Sequence, residues 1–190
     1  MSEIVIQPIA PLFIKRLKSI LSEQMPYQFD NIMLHFVNPT ETEKSLIAYM
    51  LSMRQNPGST KSAYLNALED FFKKTGITVS DIMPHHVDDW LFYYTQKGLR
   101  PSSVNFKLSV LKAYCKYLHN VGYLRMNPCA SIRRIRGHED ASYNKVLSKT
   151  EAQRLLKSGK TLLSARNYLL VSAMLRCGIR VNECVSLRWG

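Results

Sequence analysis

The residues with the most direct chemistry in this 190-residue sequence are its cations. The run Ile132-Arg-Arg-Ile-Arg136 sets three guanidinium groups side by side, and from Arg125 to Lys160 there are nine Lys and Arg against three Asp and Glu. Residues 100–190 carry 17 basic and 4 acidic side chains, a net of +13, whereas residues 1–99 carry 9 and 10, a net of −1. The whole formal charge of +12 therefore belongs to the second half. Each Lys or Arg that neutralises a phosphate releases a condensed counterion, so this asymmetry points to a polyanionic partner, with a merely solvated basic surface as the other reading. Membrane-surface binding fits less well, because the cations are not confined to one polar face of an amphipathic helix. Further along, Arg180 and Glu183 stand one helical turn apart, a spacing at which the two can simply pair on a helix surface.

Other chemistries find little support. Cys115, Cys129, Cys177 and Cys184 are spaced by 14, 48 and 7 residues, which fits neither a CxxC zinc half-site nor a dense disulfide framework, and His35, His85, His86, His119 and His138 complete no ligand set. The expectation is reduced, mostly buried thiols, no metal and no cofactor. No window approaches 18 uncharged apolar residues, and the N-terminus lacks a basic segment followed by an apolar run, so neither a membrane span nor a secretory leader is expected.

The elements that must position these groups read as helices, with almost no strand alternation. Residues 1–39 are broken by Pro8, Pro26 and Pro39, with room for a short helix from Pro11 to Ser22, and receive no role. Thr40 with Glu43 forms a capping-box pattern that opens a helix over about 40–54. After the Asn56-Pro-Gly58 turn, Ser59 or Thr60 is expected to cap a second helix carrying Tyr64, Leu68, Phe71 and Phe72 and stopping before Gly76. Pro84 opens a third, with Val87, Trp90, Leu91 and Tyr94, ending at Gly98. Pro101-Ser-Ser opens the fourth, in which Val104, Leu108, Leu111, Cys115 and Leu118 trace one buried stripe to Gly122. Its other face carries Asn105, Lys107, Lys112, Lys116 and His119. Four helices over 40–122 make a small bundle able to hold its own core. Residues 123–146 read as a basic linker. A second unit over 147–190 opens at Leu147, with a capping box from Ser148 to Glu151, a helix from Ser164 to Cys177 that ends at Gly178, and a last turn or two over Val181 to Leu187.

Four segments carry a family resemblance: Gly98-Leu-Arg-Pro-Ser-Ser-Val-Asn-Phe-Lys through Leu118 with Asn127-Pro128; Thr60-Lys-Ser-Ala-Tyr64 to Phe72; Leu147-Ser-Lys-Thr-Glu151 to Leu156 with Arg166-Asn-Tyr-Leu-Leu-Val171; and Met174-Leu-Arg-Cys-Gly-Ile-Arg-Val-Asn-Glu-Cys-Val-Ser-Leu-Arg188. In order and spacing they resemble the tyrosine recombinases, or phage integrases. Three positions depart from the family pattern: Cys177 stands where Thr is usual, Asn167 where Asp is usual, and Cys184 where Leu usually follows the Glu. None of these removes a group that performs chemistry.

The resemblance implies an all-α chain as given: a four-helix, SAM-like core-binding bundle, a basic linker, and the first helices of an incomplete α+β catalytic domain. It implies double-stranded DNA as partner, other recombinase protomers on that DNA, and a prokaryotic, cytoplasmic site of action at the nucleoid. In the resembled proteins the bundle grips one face of the duplex and the catalytic domain the other. Arg100, Ser102, Ser103, Asn105, Lys107, Lys112 and Lys116 of the fourth helix, Arg133, Arg134 and Arg136 of the linker, and Thr60 and Lys61 of the second helix become the DNA-binding candidates. In this family's strand cleavage a Tyr hydroxyl attacks a phosphodiester, and charge builds on its non-bridging oxygens, two of which a guanidinium meets at once. Arg180 becomes the first catalytic Arg, with Glu183 orienting it. The family's Lys, His-x-x-Arg pair and Tyr nucleophile lie downstream of that Arg, and Tyr143 and Tyr168 do not occupy the nucleophile's position. No independent strand cleavage is expected, whether the sequence is a fragment or the product of a truncated mobile-element gene. A non-catalytic helical DNA-binding regulator and a helical protein–protein module with an acidic partner are the alternatives; the third and fourth helices are too long for a compact helix-turn-helix.

Overall fold

A computed structural model describes residues 9–10, 12–22, 28–136 and 146–187. Pro8, Pro11, Pro26, Gly137, His138, Tyr143 and the Arg188-Trp189 string lie outside them. Among the described residues all regular structure is helical: α1 Phe13–Ser22, α2 Phe29–Met33, α3 Glu41–Ser52, α4 Gly58–Thr75, a 3-10 turn Val79–Asp81, α5 Pro84–Gln96, α6 Pro101–Asn120, α7 Lys149–Leu162, α8 Ala165–Cys177 and α9 Val181–Val185. The chain divides into two compact units, Met1–Gly137 and His138–Gly190.

In the first unit the caps explain where the helices begin and end. Thr40 Oγ1 accepts from the Glu43 N–H at 3.2 Å while Glu43 Oε2 accepts from the Thr40 N–H at 2.9 Å, the reciprocal pair that opens α3. The start of α4 differs from the expected one: neither Ser59 nor Thr60 caps it. Pro57 occupies the cap position, its carbonyl accepting from the Lys61 N–H at 3.1 Å, and both hydroxyl residues fall inside the first turn. Proline already holds the φ this position needs, so the helix starts two or three residues earlier than the hydroxyls suggest. It stops at Gly76, whose φ of +67° only glycine adopts without strain.

The core gathers round α6. Val104, Leu108, Leu111, Cys115 and Leu118 are buried as the spacing predicts, but Val110 and Tyr114 are buried too. The buried face is wider than one stripe because α3, α4 and α5 all pack on this helix. Leu46, Ile47 and Met50 of α3 and Leu65, Leu68, Phe71 and Phe72 of α4 complete the interior. Each such side chain contributes about 1.5–3 kcal/mol by leaving water. Ser45 shares a buried hydrogen bond with the Tyr114 hydroxyl. Thr42 Oγ1, also buried, accepts from the Val79 N–H at 3.0 Å, so the interior polar groups are satisfied in pairs.

Two further segments join this core. Ahead of the bundle, Ile9 and the Phe13, Ile14, Leu17 and Ile20 face of α1 are buried in it. Behind α6, residues 123–136 run back along the helix as a strap, with Leu124, Cys129 and Ile132 buried and Ile135 packed at the edge. Cys115 and Cys129, both buried and reduced, meet where strap and helix touch; the hydrogen bond that the Cys115 thiol donates to Cys129, together with burial, pushes the Cys115 thiol well above the usual range.

The second unit has its own caps and corner. Ser148 and Glu151 cap α7 reciprocally, and Ser164 Oγ accepts from the Asn167 N–H at 3.4 Å to open α8. The α7–α8 corner is tight: a Cβ on Gly159 would lie 3.3 Å from Leu163 Cδ1, with the Tyr168 ring 3.6 Å away. Among its described residues only Gly159 and Cys184 are buried, and Leu162, Leu169, Val181, Val185 and Leu187 stand exposed. No helix among the described residues is long and apolar enough to cross a membrane.

Candidate nucleic-acid interface

The N-terminal half of α6 and the middle of α4 face each other across an open groove of about 480 Å³, lined by Asn66 and Ala67 from one side and by Ser102, Ser103, Phe106 and Lys107 from the other. Arg100 occupies the cap position of α6 with no side-chain hydrogen bond, and Pro101 supplies no N–H. Arg100, Ser102 and Ser103 are exposed there; the Ser103 N–H donates to the Arg100 carbonyl at 2.9 Å, so what this helix start offers an anion is the Ser102 N–H, the hydroxyls and the positive end of the helix dipole. Neither serine caps the helix.

The remaining α6 candidates divide by what they already hold. Asn105 is spent on the strap: its Oδ1 accepts from the Ile135 N–H at 2.9 Å and its Nδ2 donates to the Ile135 carbonyl at 2.8 Å. Lys112 Nζ donates to the Ile132 carbonyl. These two therefore position the strap and do not project freely from the helix. Lys116 is exposed. Lys107 is half-buried in a polar cluster, its Nζ 3.2 Å from Asp70 Oδ2, 4.3 Å from the Tyr94 ring centroid and 5.6 Å from that of Trp90. Asp70 also accepts from Trp90 Nε1 at 3.1 Å and from the Tyr94 hydroxyl. Burial, and then the hydrogen bond to Asp70, push the Tyr94 hydroxyl well above the ordinary tyrosine range, so it stays protonated as a donor. Lys74, 3.8 Å from Asp70 Oδ1, brings a second cation to the same carboxylate.

On the strap, Arg133, Arg134 and Arg136 are exposed, with Arg134 Nη2 3.4 Å from Ser109 Oγ of α6. The buried Ile132 and half-buried Ile135 alternate with them, so the apolar residues of the run face the bundle and the guanidinium groups face solvent. On α4, Thr60 is half-buried and Lys61 is buried, its Nζ donating to the Arg54 carbonyl at 3.4 Å. Lys61 thus reaches back toward the turn before its own helix.

In the second unit Arg180 and Glu183 meet twice: the Arg180 N–H donates to Glu183 Oε2 at 2.8 Å, and Nη1 lies 3.2 Å from Oε1. The Arg180 side chain is 85% exposed, leaving most of its guanidinium edge open to a ligand. Among the described residues no group of three or more metal-ligating side chains occurs. Sequence reasoning missed Asp70, Trp90, Tyr94 and Asn66 as parts of this surface; Asp70, an acid set between Leu68 and the Phe71-Phe72 pair of an apolar helix face, was the one local signal available.

Comparison with known proteins bears on the helical bundle. Residues 44–122, which span most of α3 and all of α4, α5 and α6, match the family model of the phage integrase N-terminal SAM-like domain, and the bundle is a domain of that class. Tyrosine recombinase XerC of Lacticaseibacillus casei is 30% identical over 148 residues, 73% of this chain and 48% of that protein. XerC of Treponema denticola is 24% identical over 153 residues, 77% of this chain and 50% of that protein. Tyrosine recombinase XerD of Rickettsia bellii is 24% identical over 122 residues, 63% and 39% respectively. The chain belongs to the tyrosine recombinase family, and it spans about half the length of the curated relatives it matches. No solved structure matches it.

Proposed function

We propose that this chain binds double-stranded DNA as the grip of a site-specific tyrosine recombinase, acting on nucleoid DNA in a prokaryotic cytoplasm alongside other recombinase protomers. Residues 40–122 form the core-binding domain, 123–146 the link, and 147–190 the opening of the catalytic domain. The observation that carries this reading is the strap: Asn105 and Lys112 fix the backbone of residues 132–135 so that Arg133, Arg134 and Arg136 point outward from a rigid base. A preorganised row of guanidinium groups meets phosphates at a lower entropic cost than a loose basic tail. Arg100, Ser102, Ser103 and Lys116 extend the row along α6, and Lys107 and Thr60 border it. Lys61 contributes mainly to the α3–α4 turn.

Arg180, oriented by Glu183, is the family's first catalytic arginine in this reading. Glu183 anchors the Arg180 backbone N–H through Oε2 and one guanidinium nitrogen, Nη1, through Oε1, and the open edge can meet two non-bridging oxygens of a phosphodiester as charge builds on them. The lysine, the His-x-x-Arg pair and the tyrosine that complete this chemistry in the family follow that arginine in sequence. The test is binding of the 190-residue chain to duplex DNA over a range of salt. A steep log–log dependence supports the reading; a slope near zero from low to physiological salt overturns it.

A further inference from the structure

We propose that α1, which precedes the matched domain, extends the DNA-binding surface through Lys15 and Lys18, which take phosphates of the duplex backbone. The inference rests on the reading of the α4–α6 groove as DNA-facing. Four observations on the helix carry it.

The first is charge. Phe13–Ser22 holds three cations and no acid, one third of all the Lys and Arg in a 99-residue half whose net charge is −1. The second is fixation. The buried face of Phe13, Ile14, Leu17 and Ile20 seats the helix against the bundle. Just before it, the Ala10 N–H donates at 2.7 Å to Oε1 of Glu43, a buried carboxylate that also caps α3. α1 is thus held in the fold at both its entry and its apolar face.

The third observation is direction. Lys15 and Lys18, three residues apart, share one face of the helix, whereas Arg16 is turned aside with its guanidinium 5.7 Å from the Phe36 ring. The fourth is continuity. Lys18 Nζ donates to Oδ1 of Asn66, and Asn66 is one of the α4 residues that border the groove opposite Ser102 and Ser103. On its other side Lys18 borders a cleft of about 230 Å³ whose rim carries Ser22, Lys61 and Ser62. A solvated lysine on an unrelated face would show neither relation. Through Asn66 the side chain reaches the α4 border of that groove, and an ammonium there adds a point charge beside a path that the Ser102 and Ser103 hydroxyls already line.

The experiment uses the 190-residue chain and a labelled mixed-sequence duplex, titrated by fluorescence anisotropy at several salt concentrations. The double variant K15Q/K18Q should weaken binding several-fold at low salt and reduce the log–log slope by up to about two, since each phosphate contact contributes about 0.9. K15R/K18R, which keeps both charges, should bind like the parent. Lysine acetylation with and without DNA, read by mass spectrometry, supplies a measurement that needs no variant: Lys15 and Lys18 should be protected in the complex while Lys73 stays reactive. If K15Q/K18Q matches the parent in slope and affinity, or both lysines acetylate equally in the complex, while R133A/R134A/R136A loses binding, α1 has no part in the interface and the wider reading survives. A parent chain whose binding has no salt slope overturns both together.

Discussion

Asn105 holds Ile135 by both ends of its side-chain amide, accepting from the backbone N–H at 2.9 Å and donating to the carbonyl at 2.8 Å. This is the pairing one residue offers another across a sheet, supplied here by a helix side chain to an extended strap. It gives the Arg133–Arg136 backbone a fixed register on α6.

Replacing Asn105 by Ala leaves a half-buried N–H and carbonyl without partners, and the expected cost is about 1–3 kcal/mol. Urea denaturation should show a lowered midpoint, and limited proteolysis should open new cuts near Arg133 and Arg134. An unchanged midpoint together with unchanged proteolysis would mean that the strap is held by Leu124, Cys129 and Ile132 alone.

The arginines of the strap and Arg180 should separate by affinity. Arg180→Ala should cost of order 1 kcal/mol in DNA binding, as for one charge-assisted contact. R133A/R134A/R136A should cost several times more and flatten a parent slope on the order of −5 by up to about three. Anisotropy titrations on variants whose circular dichroism matches the parent decide the point; the reverse ranking would put the grip in the second unit.

In the proposed reading residues 1–190 should leave a nicked suicide duplex unmodified, because all ten of their tyrosines precede Arg180 whereas the family's nucleophile follows that arginine. Denaturing electrophoresis reads the result directly. A covalent protein–DNA adduct would redirect attention to Tyr168 and Tyr143.

Alkali should unfold the first unit. Burial pushes the hydroxyls of Tyr49, Tyr94 and Tyr114 above the ordinary value of about 10, so the folded chain keeps protons that the unfolded chain gives up. Their contribution is intact below pH 10 and is lost as pH rises above it. Tyrosinate absorbance from these three residues should therefore appear together with the loss of helical dichroism. Tyr93 is different: hydrogen bonds from Lys97 and Lys74 lower its pKa, and it should ionise before them with the fold intact.

Much of this molecule was legible because its signals are local. The Thr40–Glu43 and Ser148–Glu151 boxes, the glycines at 76 and 178 and the stripe from Val104 to Leu118 each act within a few residues, and each appears where its spacing puts it. Pro57 shifted the start of α4 because a proline and two hydroxyl residues competed for the same turn. What was hidden depends on contacts far apart in sequence. Asn105 and Lys112 looked like outward groups of a basic face until residues 132–135 came back across them, and nothing near Lys107 announces Asp70, 37 residues earlier. The strap could be read as basic, but not as packed, since Leu124, Cys129 and Ile132 follow no helical or strand period.

Asp70 has a consequence for how many phosphates a titration can count. It already sits beside Lys107 where a DNA oxygen would sit, an internal anion supplied by the protein. When Lys107 turns to the duplex, the DNA sheds a condensed cation, but Asp70, left with Lys74 as its nearby cation, draws cation density from solution. The exchange is close to neutral in ions while still forming a contact. Phosphates held by Lys107 would then be nearly invisible to salt, and a footprint inferred from the slope alone would come out smaller than the surface that touches DNA.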